Sequence, residues 1–206
     1  MLLKFAVATT VVASTTAAPH PPCTGASAGI PKLECEAWQD IVTATKMADN
    51  DLPATSAFNK IDLLTDPCSV PCMAGDGHST TCEGGHIVNI NFWGRRFADS
   101  PRLHGELPDG PFTALTHLES LVLPDAGLFG RIPQALEGLK KLRYLDLRSN
   151  LLRGPVPALP FHQYKDTNSS LAGFDHVFTC PFPAGGEALL GIDYNGGQWT
   201  PKCVPY

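Results

Sequence analysis

The sequence predicts an α/β solenoid, in which short similar units stack side by side around a shared apolar core. Leu118, Leu121 and Leu123 recur as Leu142, Leu145 and Leu147, a shift of 24 residues. The half-unit Leu103-x-Gly105-x-Leu107-Pro108 recurs as Leu128-x-Gly130-x-Ile132-Pro133 and again as Leu152-x-Gly154-x-Val156-Pro157, with shifts of 25 and 24. All seven cysteines fall outside these units: Cys23, Cys35, Cys68, Cys72 and Cys82 precede them, and Cys180 and Cys203 follow. Alternation in the first half of each unit makes a short strand with its apolar side chains inward, and the Gly-x-Ile-Pro half supplies a tight return. One unit cannot bury its own apolar side, so neighbours share a core and both ends of the array need covers.

Composition agrees with one folded domain: 206 residues, 43% apolar and only 17% charged. The net charge of -5 is thinly spread. It offers no concentrated basic surface, so neither nucleic acid nor an anionic membrane is expected as a partner.

Residues 1–17 combine a short positive start, an apolar run and a small-residue exit, which together read as a secretory signal peptide cleaved after Ala17. The run is too short to span a bilayer, and no later segment is long and apolar enough to do so. The chain is therefore expected to be secreted and extracellular, without membrane insertion. Cysteine richness fits that compartment, where disulfides persist. Residues 18–33, rich in proline, read as an extended leader.

Residues 34–86 form an N-terminal cap. Trp38, Ile41, Val42, Thr45 and Met47 recur at helical spacing behind Glu34, Glu36 and Asp40, and the helix should stop near Ala48. Asp49-Asn50-Asp51 lacks the glycine and distant glutamate of a calcium loop and reads as a solvated turn. Phe58, Ile61, Leu63 and Leu64 belong to a second, shorter apolar element. Cys68, Cys72 and Cys82 with His78 or His86 could be read as zinc ligands, but secretion favours disulfides and the spacing matches no common finger. No metal and no cofactor is expected.

Residues 87–160 hold three repeats. The first opens with Ile87, Ile90 and Phe92, which lie 31 residues before Leu118, Leu121 and Leu123. Six extra residues between Phe92 and Leu103, and one between Pro108 and Leu115, explain the excess. Residues 161–206 form the C-terminal cap and tail, where Phe161, Tyr164, Leu171, Phe174, Val177 and Phe178 can lie over the last repeat. Asn168-Ser169-Ser170 is a glycosylation sequon, which suits an exposed loop at Asn168. The only cysteine downstream of Cys180 is Cys203.

The motif Leu-x-x-Leu-x-Leu-x-x-Asn followed by Leu-x-Gly-x-Val-Pro, at residues 142–157, resembles the plant-type leucine-rich repeat of receptor-kinase ectodomains and polygalacturonase-inhibiting proteins. The amphipathic helix, Asp66-Pro67-Cys68 and Cys82 are similar to that family's cap. The resemblance implies a short right-handed superhelix with a parallel sheet on its concave side. It also implies pairing of cap cysteines in sequence order, Cys35 with Cys68 and Cys72 with Cys82, while Cys180 with Cys203 locks the other end. Cys23 is then left free or bridging to another chain. Three features depart from the family: Ala126 in the second repeat, and Arg95 or its neighbour in the first, stand where the third has Asn150; no tryptophan lies between Cys72 and Cys82; and three units are few.

In such a fold the outward strand positions line the concave face: Asn89, Asn91 and Trp93, then Ser120, Val122 and Asp125, then Tyr144, Asp146 and Arg148. Strands about 4.8 Å apart gather these into one patch. Aromatic and arginine side chains are favoured interface anchors, and the amide, carboxylate and aromatic mixture also suits a glycan. The competing reading is the plain solvated outside of a sheet. Lys140, Lys141, Arg143, Arg148 and Arg153 cluster around the third repeat, either as a solvated flank or as a steering surface for an acidic partner.

Enzyme signatures are missing: there is no Gly-x-Ser-x-Gly, phosphate loop or His-Glu-x-x-His, and the histidines show no ligand spacing. Asp76, His78, His86 and His104 would have to assemble from separate loops to act as acid and base. The expectation is a non-catalytic recognition module that binds an extracellular protein as a co-receptor or as an enzyme inhibitor. The alternative is a structural component of an extracellular matrix or cell wall that binds glycan.

Overall fold

The computed structural model describes residues 19–47, 62–70, 79–93, 103–161, 164, 169–172, 177–179, 181–184, 186 and 203–204. The expected signal peptide, the Asp49-Asn50-Asp51 turn, most of the second apolar element, Cys72, Asp76, His78, Asn168, Phe174 and Cys180 lie outside these residues.

Helix α1 spans Lys32–Ala44, close to its predicted extent. It buries Cys35, Ala37, Trp38, Ile41 and Val42 along one face, as the spacing requires. Trp38 is fully buried, so its indole N–H needs a partner, and it donates to the Leu63 carbonyl at 2.6 Å. Its ring also meets Phe92 at a centroid distance of 6.2 Å, which joins the cap to the first repeat.

The strands form two sheets. In the first, β1 (Ser79–Glu83) and β2 (His86–Asn91) make an antiparallel hairpin. It turns through Gly84 and Gly85 at φ 58° and 79°, the positive values a two-residue hairpin loop demands. Parallel strands β4 (Ser120–Val122) and β6 (Tyr144–Asp146) extend this sheet in the order β1-β2-β4-β6. These are the strands of the three repeats, and a single parallel bridge from Asp146 to Ser170 continues the array into the C-terminal cap.

The second sheet follows the return half of each repeat: β3 (Gly105–Glu106), β5 (Leu128–Gly130), β7 (Leu151–Pro155), β8 (Val177–Thr179) and β9 (Cys203–Val204), all parallel. Its register departs from the sequence alignment of the motif. Gly105 pairs with Leu128 rather than with Gly130, and Gly130 pairs with Leu152 rather than with Gly154. The glycines explain the offset. A Cβ on Gly130 would sit 2.8 Å from the Glu106 carboxyl carbon, and one on Gly154 would sit 3.4 Å from Arg131 Cγ. Each glycine thus lies beneath a side chain of the preceding unit. Gly105 has no preceding repeat, and the end of α1 fills that place: a Cβ there would stand 2.1 Å from the Ala44 carbonyl oxygen.

One continuous core runs through the described residues, from Trp38 and Ile41 through the repeat leucines to Phe161, Tyr164, Leu171 and Phe178. Phe161, Tyr164 and Phe178 of the expected C-terminal cap are thus part of that core. Val177 is not: it is 43% exposed.

The disulfides differ from the expected pairing. Cys23 bonds Cys35 and Cys68 bonds Cys82. Cys23 is therefore bonded within the chain, and Cys68 and Cys82 are unavailable as zinc ligands. The cause lies in residues 19–30, which are not an extended leader but fold back onto the cap. Asp66 grips a short turn at Gly25–Ser27, accepting Ser27 N–H at 3.0 Å and Ser27 Oγ at 2.6 Å. Thr24 N–H reaches the Thr65 carbonyl at 2.9 Å, and Gln39 donates to the Pro21 carbonyl at 2.8 Å. These contacts deliver Cys23 to the first turn of α1, and Cys68 faces β1 instead. Closing loops of 12 and 14 residues contributes about 3 kcal/mol each on a chain-entropy estimate.

Candidate partner-binding face

The register of the first sheet sets two rows of side chains. Asn89, Ser120 and Tyr144 align across β2, β4 and β6, and Asn91, Val122 and Asp146 form the next row. Eight of the nine residues expected on this face thus lie in these two rows or directly past them, with Trp93 just beyond β2 and Arg148 just beyond β6.

Asp125 departs from the expected patch. It adopts φ 51°, and Ser149, its equivalent in the next repeat, adopts 56°. Both are left-handed turn residues after the strand, and Asp125 N–H donates to the Arg148 carbonyl at 2.9 Å. Val122 also contributes little surface, being 3% exposed.

Asp146 is fully buried rather than presented to a partner. Arg148 closes over it, with Nε 2.9 and 2.8 Å from the two carboxylate oxygens, Nη2 on Oδ2, and the Arg148 backbone N–H 3.1 Å from Oδ1. Burial pushes the Asp146 carboxyl above its ordinary value, and the guanidinium opposes that rise. Burial likewise raises the Tyr144 phenol, the Asp146 charge adds to the effect, and Arg148 opposes it. The carboxylate therefore acts as a buttress, holding the guanidinium in one orientation beside Tyr144.

Around this anchor, Asn89, Asn91, Trp93, Ser120 and Tyr144 are half-buried. Asn89 donates to Ser79 Oγ at 3.2 Å. Asn91 Oδ1 is buried with no hydrogen-bond partner among the described residues. The basic cluster divides: Lys140, Lys141, Arg143 and Arg153 are exposed, whereas Arg148 is committed to Asp146.

Sequence reasoning missed a second grouping. Glu34, His86 and His117 bring ligand-type atoms within 4.8 Å of one another. A signal was present, because His86 precedes Ile87 as His117 precedes Leu118, the same position of consecutive repeats. A groove of about 990 Å³, lined among others by Glu106, Arg131, Glu137 and Arg153, was also not foreseen. Of the residues considered for acid-base chemistry, His86 and His104 are described, and they lie apart: His104 packs on Phe129 and His86 on His117.

No protein-family model and no curated protein matches the chain. Among solved structures, a plant ice-binding protein is similar at 24% identity and a TM-score of 0.50, over 79% of this chain and 47% of that one. The chain thus spans about half the length of that protein. The leucine-rich-repeat ectodomain of the receptor kinase SOBIR1 from Arabidopsis thaliana is similar at 18% identity and a TM-score of 0.45, over 73% of this chain and 70% of that one. A structure of the BIR3–SERK2 complex from the same plant gives 23%, 0.46, and 77% and 75%. At these identities the likeness is one of fold alone.

Proposed function

We propose that this chain is a secreted, non-catalytic recognition module that binds an extracellular protein, as a co-receptor or as an inhibitor of a secreted enzyme, through the sheet β1-β2-β4-β6. The observation that carries this reading is the aligned row Asn89, Ser120 and Tyr144 ending beside Arg148, whose guanidinium is oriented by the buried Asp146. An arginine already fixed in place loses little conformational freedom on binding, and arginine and tyrosine are frequent binding hot spots. Regular strands hold these groups, so their spacing is set by the fold. Two disulfides in the cap support an oxidising, extracellular location. Parallel strands joined by crossovers are overwhelmingly right-handed, so we take the array as a short right-handed superhelix with this sheet on its concave side.

The reading is tested by affinity capture from the secreted fraction, comparing the native chain with Ser120→Arg and Tyr144→Ala. Both substitutions sit on the face without removing a core contact, so melting temperatures should not change. One defined protein is expected to co-purify with the native chain and to be lost from both variants. Its retention on both variants overturns the assignment of the face. Retention of the native chain on insoluble polysaccharide, with no protein captured, supports the matrix reading instead.

A further inference from the structure

We propose that Glu34, His86 and His117 form a binding site for a divalent transition-metal ion of the zinc class, at the seam where the cap meets the first two repeats. The proposal is independent of the partner-binding face.

The site is built by the stacking of the array. His86 and His117 occupy one position of consecutive repeats, and strand pairing of β2 with β4 lays their rings face to face, with centroids 3.7 Å apart and planes 15° apart. The third repeat has Lys141 at this position, so the imidazole ladder has two rungs. Glu34 reaches the pair from the first turn of α1 and is only 3% exposed. Its Oε1 lies 2.6 Å from His86 Nδ1, and its Oε2 accepts the Ile87 backbone N–H at 3.0 Å. That backbone bond fixes the carboxylate from behind, as outer-shell hydrogen bonds do for metal ligands.

The donor set is selective. Two imidazole nitrogens and one carboxylate oxygen suit zinc and its neighbours, with bonds of about 2.0–2.2 Å and a fourth position left for water. Calcium and magnesium prefer sets made of oxygen alone. Ligand atoms on a tetrahedral zinc are roughly 3.3 Å apart, so atoms now within 4.8 Å of one another must draw together. An ion entering takes the place of the proton shared by Glu34 Oε1 and His86 Nδ1. Parallel rings aim their in-plane lone pairs side by side, so coordination also requires the rings to tilt. His117 can supply that tilt, being half-buried and held at Nδ1 by a long 3.3 Å contact to Thr116 Oγ1. On the other side, His86 is 30% exposed at its side chain, which leaves a path for the ion.

The test uses the full chain with its disulfides intact, titrated with zinc by calorimetry and with cobalt by visible absorption. One ion per chain is expected, with the intense visible bands of four-coordinate cobalt. His117→Ala is expected to weaken zinc binding at least ~10-fold while leaving the metal-free melting temperature unchanged. His104→Ala, at a histidine outside the cluster, should bind as the native chain does. Glu34→Gln should also weaken binding, and since it touches the Ile87 hydrogen bond it is read only alongside His117→Ala. Absence of saturable zinc binding, or unchanged affinity in His117→Ala, overturns the proposal and leaves the cluster as a hydrogen-bonded and stacked seam.

Discussion

Asn150 carries more of the array than its single place in the sequence suggests. Its side-chain oxygen accepts the N–H groups of Ala126 and Leu128 at 3.0 and 3.1 Å, and its amide donates to the carbonyls of Leu123 and Leu147, both at 2.8 Å. One asparagine thus satisfies backbone groups of two repeats, the Ala126 N–H among them. Asn150→Ala leaves several buried backbone groups unpaired and should cost roughly 2–4 kcal/mol in chemical denaturation. The motif made Asn150 visible in the sequence, but not the neighbour it serves. Asp146 shows the opposite case. Alternation gives the side of a sheet on which a residue lies but not how deeply it is covered, so Asp146 read as a presented group although it is buried under Arg148. Arg148→Ala should therefore lower stability by about 3–5 kcal/mol, the usual consequence of stranding a buried charge. A double variant, Asp146→Asn with Arg148→Leu, should recover much of that loss, and equal melting temperatures for native and Arg148→Ala chains would contradict the buttress.

At the scale of elements, the cap is where the sequence was least informative. Helix α1 and the repeat strands announced themselves by period, because burial of one face imposes 3.6- or 2-residue spacing. Disulfide partners leave no such trace, since they depend on which loops meet. Here the decisive contact is Asp66 with the turn at residues 25–27, a matter of one carboxylate and backbone amides. Burial raises the Asp66 carboxyl, but hydrogen bonds from Ser27, Ser69 and Ala26 outweigh it and hold the group below its ordinary value of 3.8. A carboxylate with a lowered folded value contributes stability above its unfolded value and loses it as the pH falls through the folded one. Thermal unfolding below pH 3.8 should therefore lose stability more steeply in the native chain than in Asp66→Asn. At pH 7 that variant should be less stable by about 1–3 kcal/mol; identical acid limbs would remove Asp66 as the clasp. Gly105 marks a separate contact, where the end of α1 meets the first return strand. Gly105→Ala drives a methyl group into the Ala44 carbonyl and should cost about 1–3 kcal/mol by overpacking, measured by urea unfolding. Gly138, where an added Cβ meets nothing within 4 Å, is the control position.

For the whole molecule, the stacked array was legible because repetition amplifies a weak pattern: three return motifs and three strands in register are hard to produce otherwise. The rows of the candidate face were legible too, since strand order and spacing follow from the repeat length. The sequence did not supply depth, which removed Val122 and Asp146 from the presented surface, nor turn geometry, which removed Asp125. The seam of Glu34, His86 and His117 needed the fold to be seen, as its members come from the cap and two different repeats. What remains presented is a compact set, Asn89, Asn91, Trp93, Ser120 and Tyr144 beside a fixed Arg148, across β2, β4 and β6. Ser120 lies on the strand between the other two and has a small side chain, so it is the position where added bulk blocks the most surface at the least structural cost. The decisive measurement is the equilibrium affinity of the captured partner for the native chain and for Ser120→Arg, each checked for an unchanged melting temperature. Binding weakened roughly 30-fold or more, the scale of a hot-spot loss, is the predicted result; equal affinity would contradict recognition through this face.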